Sequence, residues 1–152
     1  MPMELNALIK ASDDNLIKWH HGINWQTQIR GISSDSRKIQ EGYIFVAIKG
    51  EKTDGNKYIS QALAKGAVLI ITEDENYCRP DEPWILVHQS RKVMGIMLHR
   101  FLGEPSQKMR VIGVTGTNGK TTVTNLVAKI LEAWDKKVGL IGTIHNRIGQ
   151  EI

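Results

Sequence analysis

Residues 110–126 read Arg-Val-Ile-Gly-Val-Thr-Gly-Thr-Asn-Gly-Lys-Thr-Thr-Val-Thr-Asn-Leu: an apolar strand, a glycine-rich turn, a lysine with two threonines, and the start of a helix. This combination makes a phosphate cradle. Successive backbone N–H groups of such a turn converge on an anion, and the unpaired N–H groups and dipole of the following helix add attraction. Gly116 and Gly119 remove the Cβ atoms that would keep the backbone from phosphate oxygens. Thr117 and Asn118 lie between them. Lys120 would set its ammonium on the outer phosphates, Thr121 would offer its hydroxyl to Mg2+, and Thr122 completes the run. The common pattern G-x-x-x-x-G-K-[ST] is not met in full. Its first glycine falls on Val114, and the glycines are spaced Gly113, Gly116, Gly119.

The elements that must hold this turn follow from periodicity. Val123, Leu126, Val127, Ile130, Leu131 and Trp134 recur at helical spacing, which predicts a helix over residues 121–134 with one face packed on the preceding strand. A second strand is expected over residues 138–143. Thirty-two residues follow Lys120, few for a doubly wound nucleotide domain. The expectation is a chain that stops inside that domain, short of any later magnesium ligand, base-recognition motif or catalytic base.

Upstream, the pattern is α/β. Leu5, Leu8 and Ile9 suggest a short helix, and residues 29–34 a strand entering a turn at Asp35-Ser36-Arg37. Residues 43–48 form a continuous apolar run closed by Gly50. Tyr58, Ile59, Ala62 and Leu63 trace a helix face ending at Gly66, before strands over residues 67–72 and 84–87. Ser90 is expected to cap a helix whose Val93, Met94, Met97, Leu98, Phe101 and Leu102 share a face. Gly103 to Lys108 has linker composition. The expected division is residues 1–104 for a first domain and residues 105–152 for the start of a nucleotide-binding domain.

Composition narrows the function classes. The 152 residues are 41% hydrophobic and 24% charged, enough for one ordinary core and a small second unit. The apolar runs at residues 43–48 and 67–71 are far too short to span a bilayer, and the first ten residues lack the order of a signal peptide, so a cytoplasmic location is expected. The net charge of +4 is spread along the chain, without the focused basic patch usual for a nucleic-acid surface, and fits a phosphorylated small molecule equally well. The single cysteine, Cys78, reads as structural, and the five histidines show no paired zinc-ligand spacing.

A second cluster is denser still: Asp35-Ser-Arg37, residues 42–47, Gly50, Asp54-Gly55, Tyr58-Ile59, Ala62 and Gly66-Ala67. With residues 115–122, this resembles the amino-terminal part of the Mur ligases, ATP-dependent amide-bond synthetases that build the cell-wall peptide stem. The resemblance covers about residues 31–143 and accounts for the unusual glycine spacing. The wording of residues 115–122 and of residues 139–144 resembles the branch that adds the third residue, meso-diaminopimelate or L-lysine, to UDP-N-acetylmuramoyl-L-alanyl-D-glutamate. The branch that adds D-alanyl-D-alanine shares the Asp-Ser-Arg region, but more often has serine where Thr117 stands.

The resemblance implies a fold, a UDP-sugar-binding domain followed by the first strand, phosphate loop, helix and strand of a central ATPase domain. By position, it implies that Ser34 and Ser36 touch the uridine diphosphate moiety and that Glu51, Lys52 and Thr53 close over the base. Gly116 to Thr122 would be the ATP loop, with Lys120 catalytic and Thr121 on Mg2+. The implied reaction forms an acyl phosphate on the D-glutamate carboxylate, which the amine of the incoming residue displaces. The implied assembly is a monomer using a UDP-N-acetylmuramoyl-dipeptide, without membrane or nucleic-acid partners. The carbamylated lysine, further metal ligands and amino-acid site of the family are expected beyond Ile152, so the 152 residues alone are expected to be inactive. Asp35 with Arg37 reads equally as a turn-stabilising ion pair or as a ligand contact, and Thr53 with Asp54 reads also as a helix cap. Two other classes stay open: a regulatory nucleotide-binding module without catalysis, and a different P-loop enzyme, which Val114 and the Asp-Ser-Arg region disfavour.

Overall fold

A computed structural model describes residues 2–51, 53–143 and 146–149. The chain divides into two compact units, Met1–Met109 and Arg110–Ile152. In the first, strands β1 (Met3–Glu4), β2 (Leu16–Trp19), β3 (Gln28–Ile29), β4 (Gly31–Ser33), β5 (Tyr43–Val46), β6 (Ala67–Thr72) and β7 (Trp84–Val87) alternate with helices α1 (Leu5–Ile9), α2 (Ile59–Ala64) and α3 (Ser90–Phe101). The main sheet has the order β2-β7-β6-β5-β4. Strands β4 to β7 run parallel, β2 is antiparallel along β7, and β1 pairs with β3 separately.

Because side chains alternate across a strand, a continuous apolar run must be covered on both faces. Ile44, Val46, Leu69, Ile71, Ile85 and Val87 point to one face, where α1 and α3 contribute Leu5, Leu8, Val93 and Met97. Phe45, Ile70, Trp84 and Leu86 point to the other, where α2 contributes Ile59 and Ala62. Helix α2 stops at Gly66, whose φ of +94° is a left-handed conformation that glycine tolerates. A Cβ there would also stand 2.9 Å from the Glu41 Cα.

The start of α3 differs from the expected serine cap. Gln89 is the capping residue, and Ser90 is the first helical residue, fully buried, its Oγ without a hydrogen-bond partner among the described residues. The cap comes from elsewhere: the Ser90 N–H donates to Glu73 Oε1 at 2.6 Å. A carboxylate delivered from the end of β6 complements both the free N–H and the helix dipole, which a hydroxyl already inside the first turn does not.

In the second unit, α4 (Lys120–Ala133) is followed by β8 (Gly139–Ile141) and β9 (Asn146–Ile148), an antiparallel pair. Two expectations are corrected here. Residues 110–116 form no strand, and Val111 and Ile112 are exposed. The second expected strand is present as β8 and pairs with β9. Consequently the apolar stripe of α4 is not a buried face. Val123, Leu126, Ile130 and Trp134 are exposed, and Ala128 is the residue of the helix that is buried. The physical reason is the shortness of the partner: within this unit α4 packs on β8, and a strand of 3 residues, about 10 Å long, spans only about two turns of a helix of 14 residues. Leu140 is buried, and Arg147 joins Glu132 of α4 in an ion pair at 2.5 Å. Among the described residues, no helix is long and apolar enough to cross a membrane.

Candidate functional site

Parallel strands β4 and β5 lie in register with Ser33 opposite Phe45, so the segments leaving their carboxyl ends emerge side by side. Such ends are where open α/β sheets hold ligands. The segment after β4 carries Ser34, Asp35, Ser36 and Arg37. Asp35 stands before a short 3-10 turn, Ser36–Lys38, and its Oδ1 accepts the Arg37 backbone N–H at 3.0 Å. The Arg37 guanidinium closes a fork on the same carboxylate, with Nε to Oδ1 and Nη2 to Oδ2 both at 2.9 Å. The Arg37 side-chain bonds, then its backbone N–H, hold the Asp35 carboxyl down at about 2, and the same pair raises Arg37. The pair therefore stabilises the turn, while the Arg37 side chain remains largely exposed to solvent. Ser34 is exposed. Ser36 is only 6% exposed, and its hydroxyl donates to Gln61 Oε1 of α2 at 2.7 Å.

The segment after β5 is a narrow loop. The Gly50 N–H donates to the Thr53 carbonyl at 2.9 Å, the Gly55 N–H to the Ile48 carbonyl at 3.0 Å, and Lys49 bridges Asp54. Close approach is obligatory at Gly55, where a Cβ would fall 2.7 Å from both N and O of Ile48. Glu51 and Thr53 sit exposed at the tip, and Lys52, expected beside them, lies outside the described residues. Asp54 Oδ1 accepts the Asn56 backbone N–H and its amide Nδ2, each at 2.9 Å, and Asn56 Oδ1 accepts the Thr72 hydroxyl at 2.7 Å. Thr72 and Asn56 are both buried. This chain of bonds roots the loop in β6.

In the second unit, Gly119 precedes α4 with φ of +79°, and Gly116 has φ of +150°. The Lys120 ammonium is folded onto the turn itself, donating to the carbonyls of Gly116 at 2.5 Å and Thr117 at 3.4 Å. Lys120 and Thr121 share a cavity of about 170 Å3 with Val114, Thr124, Leu140 and Thr143. Thr117, Asn118 and Thr122 are exposed around it. Thr124 Oγ1 and Asn125 Nδ2 donate to the Thr121 carbonyl, at 3.0 and 2.7 Å, bracing the first turn of the helix. Cys78 carries no activated thiol: burial, then Glu75, pushes it up to about 11.

Two family models match this chain in succession, Mur ligase family, catalytic domain over residues 28–107 and Mur ligase middle domain over residues 114–151. The chain belongs to the Mur ligase family. It is 44% identical over 128 residues to the UDP-N-acetylmuramoyl-L-alanyl-D-glutamate--2,6-diaminopimelate ligase of Aquifex aeolicus, covering 82% of this chain and 26% of that protein. The ligase of the same name from Alkaliphilus metalliredigens is 43% identical over 147 residues, covering 97% and 29%. This Mur ligase chain thus spans between a quarter and a third of the length of these curated relatives. A solved structure of a ligase of that name is similar at a TM-score of 0.75 and 28% identity, over 97% of this chain and 29% of that one. The MurF ligase of Thermotoga maritima, solved in complex with ADP, is similar at a TM-score of 0.53 and 32% identity, over 71% and 24%.

The first family region of the Mur ligase chain contains both strand-end segments, with Ser34, Ser36, Glu51 and Thr53 on adjacent loops. The second contains the Gly116–Thr122 turn. Sequence reasoning did not single out Gln61, Asn56 or Thr72. A usable signal existed for Thr72, a polar residue closing a six-residue apolar strand, since a hydroxyl at that depth requires a partner.

Proposed function

We propose that the protein to which these residues belong is the ATP-dependent ligase that adds 2,6-diaminopimelate to UDP-N-acetylmuramoyl-L-alanyl-D-glutamate in peptidoglycan synthesis. Residues 1–104 act as its UDP-sugar module and residues 105–152 open its ATP-binding domain. The observation that carries this reading is 43% identity to a ligase of that name across 97% of the chain, both family regions included. Adjacent loops at the ends of β4 and β5 support the sugar-nucleotide site, and the left-handed Gly119 before α4 supports the phosphate loop. Substrate and nucleotide of this kind place the work in the cytoplasm.

On this reading the γ-phosphoryl group passes from ATP to the D-glutamate carboxylate. A carboxylate oxygen to phosphorus bond forms, the bond to the β,γ-bridging oxygen breaks, and ADP leaves. The amine of diaminopimelate then attacks the acyl carbon, phosphate departs, and the amine gives up a proton as the amide forms. The chain's part is electrostatic and positional. Lys120 exchanges the Gly116 and Thr117 carbonyls for phosphate oxygens, and the N–H groups opening α4 hold the same anion. Thr121 fits Mg2+ as a neutral, hard oxygen donor lining the cavity beside Lys120. Among the described residues no cluster of three His, Cys, Asp or Glu side chains accompanies it. A bound Mg2+ would neutralise charge on the transferred group.

The test is Lys120→Ala in the protein extended to the length of its relatives. Amide-bond formation should be abolished with binding of the UDP-sugar intact, and preserved turnover would refute the phosphate-loop assignment.

A further inference from the structure

The turn that carries Ser34 to Arg37 does not hold its shape alone. Helix α2 packs against it and, with its C-capping residue Lys65, grips it at two points one helical turn apart. Gln61 Oε1 accepts the Ser36 hydroxyl proton at 2.7 Å, and Lys65 Nζ donates to the Arg37 carbonyl at 3.1 Å. Residues four apart lie on one face of a helix, so a single face of α2 addresses the whole turn. The same helix grows directly out of the Asp54–Asn56 anchor of the neighbouring loop, which the Thr72 hydroxyl pins to β6. One short helix therefore fixes both segments at the ends of β4 and β5.

We infer that Gln61 and Lys65 are positioning residues for the sugar-nucleotide site, Gln61 by setting the direction of the Ser36 hydroxyl and Lys65 by fixing the backbone beside it. This rests on the sugar-nucleotide reading of the first unit. The inference also assigns a polarity. A serine hydroxyl has one proton, and Ser36 gives it to Gln61, so toward a ligand Ser36 offers lone pairs alone. The atom it meets is a donor, an N–H of the base or a hydroxyl of the ribose, and not an oxygen of the diphosphate, which accepts. Removing Gln61's oxygen frees the Ser36 proton to rotate and leaves a largely buried hydroxyl without its partner.

The test measures binding of UDP-N-acetylmuramoyl-L-alanyl-D-glutamate, UDP and uridine to the full chain by calorimetry and amide chemical shifts. Gln61→Leu should weaken the UDP-sugar about tenfold, the loss expected for one directional hydrogen bond to a hydroxyl that is itself largely buried. Gln61→Glu, which keeps an acceptor, should restore most of it. Lys65→Met should cost about threefold, as an exposed contact does, and Lys65→Arg should recover it. Ser36→Ala combined with Gln61→Leu should cost no more than either alone, because both remove one interaction. Ser36→Ala should weaken uridine and UDP by the same factor, and a loss confined to UDP would move Ser36 to the phosphates and overturn the polarity. Wild-type binding with unchanged affinity in Gln61→Leu and Lys65→Met would overturn the positioning role and leave the sugar-nucleotide reading standing. No binding by the wild-type chain would remove both.

Discussion

Replacing Thr72 by valine removes one oxygen and little volume, and it cuts the bond chain that ties the residue 48–55 loop to the sheet. The Thr72 hydroxyl donates to Asn56 Oδ1 at 2.7 Å and accepts the Asp74 backbone N–H at 3.1 Å. Thr72 is fully buried and Asn56 is 4% exposed, so water cannot replace the lost donor. Two bonds at about 1 kcal/mol each, with a further contribution from a buried amide oxygen left unpaired, sum to about 3 kcal/mol. For a unit of this size that lowers the melting temperature by roughly 12 °C. Urea and thermal unfolding of the whole chain measure it. Thr72→Ser, which keeps the hydroxyl, should recover most of the loss, and a cycle with Asn56→Leu should show coupling of about 1 kcal/mol or more. A loss below about 0.5 kcal/mol, the range of ordinary surface substitutions, would refute the anchoring argument.

Three further outcomes follow from the same geometry. Asp35, held at about 2 by Arg37, contributes stability above its ordinary value of 3.8 that is lost as pH falls from there through about 2; Arg37→Met should move its NMR titration midpoint up toward the ordinary value, and an unmoved midpoint would contradict the pairing. Gly55→Ala forces a methyl to within 2.7 Å of Ile48 backbone atoms and should cost about 2 kcal/mol in urea unfolding; a neutral substitution would show that the loop opens freely. Amides of residues 111–114, outside any ladder, should exchange with deuterium far faster than those of Phe45 to Ala47 in the core, and equal protection would contradict the described second unit.

What the residues revealed in advance follows from how locally each feature is determined. Strands β6 and β7 begin and end where their apolar runs do, because Ala67–Thr72 and Trp84–Val87 are covered on both faces and the run itself is the signal. Gly66 marked the end of α2 because its left-handed backbone is a local requirement. By contrast, β2 escaped notice. Ile17 and Trp19 are exposed on an edge strand, and no pattern of burial announces it. The cap of α3 was misassigned because Glu73, not a neighbouring residue, supplies it. The strand expected before the phosphate turn depends on partners that the local sequence of residues 110–114 does not contain.

The site divides the same way. Lys120, Thr121 and the glycines are legible because the proposed phosphate turn is one contiguous stretch. The residues that shape the first site are not contiguous. Ser36 meets Gln61 twenty-five positions later, and Asn56 meets Thr72 sixteen later, so only the register of β4, β5 and β6 brings them together.

The claim at the centre of this account is that the carboxyl ends of β4 and β5 hold a UDP-sugar, and titrating the 152-residue chain with UDP-N-acetylmuramoyl-L-alanyl-D-glutamate under amide NMR tests it most directly. The account predicts saturable shifts concentrated at residues 34–37 and 50–55, with those of the β8–β9 pair unchanged. Absence of shifts at millimolar ligand, or shifts centred elsewhere in the chain, would contradict it.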